Sequence, residues 1–144
     1  MRLGRTTPAL PVADTGAAAD FYRDRLGFTV LHRDPALAVL MRDEAVLHLW
    51  AADDTSPWWR LRRRPVCSGA ESFLAGTGSC RIECDDPDAL HAEMAAAGVL
   101  HPVSRHGAAD TDHGTREVNV LDSAGNLLTF HRTLAREGSA TEQE

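Results

Sequence analysis

The sequence predicts an α+β fold of two tandem β-α-β-β-β modules, and three observations carry that reading. A strand–helix–strand–strand–strand pattern occurs twice along the 144 residues. Each of its helices is bracketed by an Asp before and a Gly after: Asp14 and Gly27, then Asp86 and Gly98. Asp is a favoured N-cap and Gly a favoured C-terminal stop. The chain also closes on a hairpin, Gly114 to Arg132, in which Val118 and Val120 alternate with polar neighbours on one arm and Leu128 and Phe130 do so on the other. Asp122-Ser123-Ala124-Gly125-Asn126 supplies the turn between the arms, because Asp bonds nearby backbone N–H groups and Gly tolerates positive φ.

In chain order, Thr6 to Ala13 reads as a strand interrupted by Pro8 and Pro11, which suits an edge or crossing position. A helix follows over Gly16 to Leu26 with Ala18, Phe21, Tyr22 and Leu26 as its apolar stripe. Three strands come next: Phe28 to His32, Leu37 to Met41 and Ala45 to Ala51. On the last, Val46, His48 and Trp50 share one face and Leu47 and Leu49 the other. From Ala52 to Thr77 the periodicity breaks at Pro57, Pro65, Gly69 and Gly76, so the modules, about 5–52 and 77–132, are joined by a long loop, 53–76. Then come a strand, Ser79 to Cys84, and a helix opened by Asp86-Pro87 with Leu90, Met94 and Ala97 inward. A short strand near Pro102 to Arg105 and a polar loop to His113 lead into the hairpin. Residues 1–133 read as one domain and 134–144 as a flexible tail.

Composition narrows the function classes. Hydrophobic content of 43% and charged content of 25% are ordinary for a globular domain. No apolar run approaches the ~20 residues of a membrane span, and no apolar segment follows Met1-Arg2-Leu3-Gly4-Arg5 as in a secretory signal; a cytoplasmic protein without a membrane partner is expected. A net charge of −6 argues against nucleic acid as partner. Cys67, Cys80 and Cys84 are odd in number and lack metal-finger spacing, which points to reduced thiols.

Three features together resemble the glyoxalase/bleomycin-resistance (vicinal oxygen chelate) superfamily. They are the D-x-x-G-N hairpin, the duplicated module and the stretch Asp14…Phe21-Tyr22-x-x-x-Leu26-Gly27-Phe28. The resemblance implies a curved mixed sheet and, in the enzymes of that family, a divalent cation held at four inward strand positions. Carried onto this chain, those positions are Thr7, His48, Ser79 and Thr129. One imidazole and three hydroxyls do not make a catalytic metal site, since Zn takes N, S or carboxylate ligands and harder cations want carboxylates. A lone His on a strand face is more often a hydrogen-bonded core residue than a ligand. No catalytic residue, metal or cofactor is therefore expected.

The chain is similar in these respects to the drug-binding, bleomycin-resistance branch. Leu47-His48-Leu49 resembles that branch's third strand, and Gly114-Thr115-Arg116-Glu117-Val118 its hairpin. The resemblance implies a small-molecule antibiotic as partner, bleomycin-like, enediyne or otherwise aromatic, sequestered without chemical change. It also implies a homodimer with an exchanged N-terminal strand, hinged at Pro8. Trp50, Trp58, Trp59 and Phe73 are the aromatic candidates to line the groove, with His48, Thr7, Ser79 and Thr129 beside them. The alternative is a metal-dependent or metal-free lyase, isomerase or dioxygenase of the same superfamily.

Overall fold

The computed structural model describes residues 1–52 and 74–135. The element order is β1 (Ala9–Val12), α1 (Thr15–Leu26), β2 (Thr29–Arg33), β3 (Leu37–Arg42), β4 (Ala45–Ala51), β5 (Ser79–Glu83), α2 (Pro87–Ala97), β6 (Ala109–Asp110), β7 (Thr115–Leu121) and β8 (Leu127–Thr133). The strands form two four-stranded sheets of matching order, β1-β4-β3-β2 and β5-β8-β7-β6. In each, the first strand runs parallel to the last strand of its module and the other pairings are antiparallel. The duplicated β-α-β-β-β reading is the observed topology.

The helices start and stop where the sequence places the signals. The Asp14 carboxylate accepts from the Ala17 N–H, and the Asp86 carboxylate from the Ala89 N–H; each such cap stabilises its helix by about 1 kcal/mol. Gly27 and Gly98 take left-handed φ of 73° and 70°, a backbone state in which a side chain is strained. Three local expectations are corrected. Pro102 to Ser104 form a turn of 3-10 helix instead of a strand; Pro at its start has no N–H to pair, and the His101 ring accepts from the Val103 N–H instead. The polar loop before the hairpin contains β6, which pairs Ala109 with Glu117 and Asp110 with Arg116. β1 begins at Ala9, after Pro8, so Thr6 to Pro8 lie outside it.

The core lies on the helix side of both sheets. Leu10, Val12, Ala38, Leu40, Leu47 and Leu49 of the first module meet Ala18, Ala19, Tyr22 and Leu26 of α1; Val118, Val120, Leu128 and Phe130 of the second are buried with Met94 of α2. A fully buried Leu or Val contributes about 1.5–3 kcal/mol relative to exposure.

A buried polar clasp joins the modules. The Tyr22 hydroxyl donates to the Asp122 carboxylate at 2.8 Å. Asp122 also accepts from the Ala124 and Asn126 backbone N–H groups and from the Asn126 amide. Asn126, fully buried, donates in addition to the Pro11 carbonyl and accepts from the Gly78 N–H. The turn expected merely to reverse the hairpin thus reaches α1, β1 and the start of β5. Burial, reinforced by the Asp122 charge, pushes the Tyr22 phenol well above its ordinary pKa. Two neighbouring β1 carbonyls also hold the ends of the inter-module connection: Ala52 N–H donates to Val12 at 2.8 Å and Gly76 N–H to Pro11 at 3.1 Å.

Candidate functional site

Strand pleating puts alternate residues on the two faces of each sheet. With the apolar core on the helix side, the other face is open. On the first sheet it carries Leu37, Val39 and Met41 of β3 and Val46, His48 and Trp50 of β4, the register pairing Val39 with His48 and Leu37 with Trp50. His48 and Trp50 are half-buried, and their rings meet edge to face with centroids 6.4 Å apart. The two residues expected to share a face therefore do so and touch.

On the second sheet the open face is polar. It carries Ser79, Arg81 and Glu83 of β5, Thr129 and His131 of β8, and Glu117 and Asn119 of β7, with Arg81, Thr129 and Asn119 in one row and Glu83, His131 and Glu117 in the next. The Thr129 hydroxyl donates to the Asn119 side-chain oxygen at 2.7 Å, and Thr129 is 6% exposed. Arg81 spans β8 to form an ion pair with Glu117. Burial alone would raise the Glu117 carboxyl, but bonds from the Arg81 guanidinium, the Thr115 hydroxyl and the His113 ring outweigh it and hold the pKa at about 2.

Of the remaining candidates, Ser79 is exposed at the head of β5, and Thr7 is exposed ahead of β1. Trp58, Trp59, Phe73 and Cys67 lie outside the described residues. His131 is half-buried, and its Nδ1 is the one buried side-chain N or O among the described residues without a hydrogen-bond partner. Cys80 and Cys84 are free thiols; burial, with the Asp122 charge, pushes Cys80 up to about 11, which makes it a poor nucleophile near neutrality.

The donor set does not fit a catalytic metal. Among the described residues no three His, Cys, Asp or Glu side chains converge as a cation would require. At the four family positions, the Thr129 proton is committed to Asn119 and Thr7 precedes its strand. His113 and Asp110, in the polar loop, turn instead to Glu117 and Arg116.

A cleft of about 790 Å³ opens between the modules, floored by Phe28, Leu47, Ile82, Leu90 and Phe130. A volume in this range holds a drug-sized molecule. No helix among the described residues is long and apolar enough to cross a membrane.

Two β-α-β-β-β modules, each with a helix-covered face and an open face, define the scaffold of a chelate-type superfamily whose ligating positions are here filled by hydroxyls and one imidazole. The chain belongs to the Glyoxalase/Bleomycin resistance protein/Dioxygenase superfamily, whose family model matches residues 2–130. It is 42% identical over 132 residues to the bleomycin resistance proteins of Geobacillus stearothermophilus and Staphylococcus aureus, covering 90% of this chain and 97% of theirs. Among solved structures it resembles the bleomycin-binding protein of bleomycin-producing Streptomyces verticillus in complex with copper(II)-bleomycin. That match has a TM-score of 0.68 and 26% identity, and it covers 94% of this chain and 98% of the other. A bleomycin resistance determinant encoded on transposon Tn5 matches with a TM-score of 0.67 at 24% identity, over 91% of this chain and 98% of its own.

Proposed function

We propose that this protein confers antibiotic resistance by binding and sequestering a bleomycin-like or other aromatic natural-product drug, without altering it chemically. The observation that carries the reading is 42% identity across almost the whole length of bleomycin resistance proteins. The site chemistry supports it. The open faces offer a large aromatic ring on an apolar sheet and a hydrogen-bonding sheet opposite in character, which suits a ligand with a planar apolar part and polar appendages. Catalysis by the route of the superfamily's enzymes would need a polarising cation, and the family positions carry no ligand set for one.

The groove is completed by a second copy of the chain. Residues 1–7 are exposed throughout, with Leu3 85% exposed, and Pro8 stands at the point where they leave the sheet. This is the arrangement of an arm available for exchange in a two-fold dimer. Residues 1–133 work as one domain, and Trp50, Trp58, Trp59, Phe73, His48, Thr7, Ser79 and Thr129 line or flank the drug.

Titration of tryptophan fluorescence with bleomycin and a panel of aromatic antibiotics tests the reading, with the bound drug recovered and weighed by mass spectrometry. Saturable quenching with the drug mass unchanged is expected. A modified drug, or one Zn, Ni, Mn or Fe per chain by elemental analysis, would instead establish an enzyme. Light scattering should give a dimer at micromolar concentration; a stable monomer would remove the shared groove.

A further inference from the structure

We propose that the Arg81–Glu117 pair is a specificity-determining couple that reads a primary carboxamide on the bound ligand. The proposal rests on the sequestration reading and names the ligand chemistry of that same open face.

The geometry is asymmetric. The Arg81 Nη2, the Thr115 hydroxyl at 2.8 Å and the His113 Nε2 at 3.3 Å all converge on one oxygen of Glu117, Oε1. The other oxygen, Oε2, has no hydrogen-bond partner among the described residues. Among the described residues the guanidinium engages a partner only through Nη2, which leaves Nε and Nη1 without one there, on a side chain 48% exposed. The couple therefore shows a fixed acceptor and adjacent unused donors. The Glu117 side chain is only 12% exposed and is held by three donors, so the acceptor loses little freedom when a ligand arrives.

Charge decides which ligand group fits. Arg81 and Glu117 sum to zero, so a ligand cation attracted by the carboxylate is repelled by the guanidinium, and a ligand carboxylate meets the reverse. A primary carboxamide carries an N–H donor and a C=O acceptor on one carbon and no net charge. Its N–H can donate to Oε2 while its oxygen accepts from Arg81. Both bonds involve one ionised partner and are of the stronger kind. Hydrolysing that group to a carboxylate replaces the donor by a second anion facing Glu117. Thr115 and His113 act as positioning residues, through Glu117.

The test uses the full-length protein and two forms of one probe: metal-free bleomycin with its primary carboxamides intact, and the same drug with one of them hydrolysed to a carboxylate. Kd is measured for each by fluorescence titration on the wild type, Glu117→Gln and Arg81→Met, with circular dichroism as the check on folding. The wild type is expected to prefer the carboxamide form by roughly ten-fold or more, about 1.4 kcal/mol. Both variants are expected to bring the two forms within roughly three-fold. The couple is overturned, with sequestration left standing, if the wild type binds the two forms alike or favours the carboxylate, or if the variants keep the preference. A wild type that binds neither form overturns the sequestration reading and this one with it. Should Glu117→Gln fail to fold, Arg81→Met decides alone, because half of that side chain is already in solvent.

Discussion

The first and second modules repeat the same strand order and cap their helices the same way, yet their open faces differ in kind. The first shows Leu37, Val39, Met41 and Val46 around His48 and Trp50. The second, at the matching depth, shows Arg81, Glu83, Glu117, Asn119, Thr129 and His131. The helix-side strand residues are apolar in both, Leu, Val and Ala in the first and Val, Leu and Phe130 in the second, and they fill the core. The difference teaches that the core is specified on one side of each sheet, which leaves the other side free to carry the recognition chemistry proposed for it. The scaffold repeats with local changes, the fourth strand of the sheet shrinking from five residues in β2 to two in β6, while the open faces change in chemical character.

The largest expected effect breaks the link between the modules. In Asp122→Ala the Tyr22 hydroxyl and the Asn126 amide each lose a buried partner, as do two turn N–H groups. The cost should be about 3–5 kcal/mol in urea unfolding. Tyr22→Phe, which leaves Asp122 its other donors, should cost about 1–2 kcal/mol. Equal losses would mean that the turn itself, and not its reach into the first module, is what matters.

Smaller effects are expected from the open faces. Trp50→Ala should weaken drug binding by about 1–3 kcal/mol, as for other stacked rings, whereas Thr129→Val should weaken it by about 1 kcal/mol or less. Fluorescence titration gives both, and the reverse order would mean that Thr129, and not the Trp50 ring, supplies the larger share of the affinity.

Titration sharpens the comparison further. Tyr22 is the sole tyrosine of the chain, so phenolate absorbance reports one group. Its folded pKa is raised, so its contribution to stability is intact below pH 10 and is lost as pH climbs beyond it. No phenolate should appear in the folded protein at pH 10, and its appearance should coincide with unfolding. Glu117 acts at the other end of the scale. Its carboxyl lies at about 2 against an ordinary 4.5, so its contribution is present above pH 4.5 and fades as pH falls toward 2. Acid unfolding of Glu117→Gln should show a shallower slope in that window, the smallest of these effects because the Arg81 end is half in solvent.

Much of the fold was legible because its signals are local. Asp14, Gly27, Asp86 and Gly98 act within one helical turn, and strand alternation needs only a few residues. The face shared by His48 and Trp50 followed from the same alternation. What escaped depends on contacts distant in sequence. Tyr22 lies a hundred residues from Asp122, and read alone it is one more member of an apolar stripe. Arg81 carries no local signal in the sequence; its pairing emerges only once β8 brings it within reach of Glu117. The turn of Pro102 to Ser104 is decided by the His101 ring and the buried Ser104 hydroxyl, which accepts from the Asn119 N–H, and not by propensity.

The two anchors on β1 have a consequence for how such a protein can change. Ala52 and Gly76 are tied to adjacent carbonyls, Val12 and Pro11, so the chain departs from and returns to nearly the same place. A Cβ on Gly76 would sit 1.9 Å from the Ala124 carbonyl oxygen, which fixes the point of return. The span between these two points has no distance to bridge, and the entropy of closing it grows only slowly with its length. A change in the number of residues between the two anchors should therefore leave both sheets as they are, which urea unfolding of lengthened and shortened variants would check.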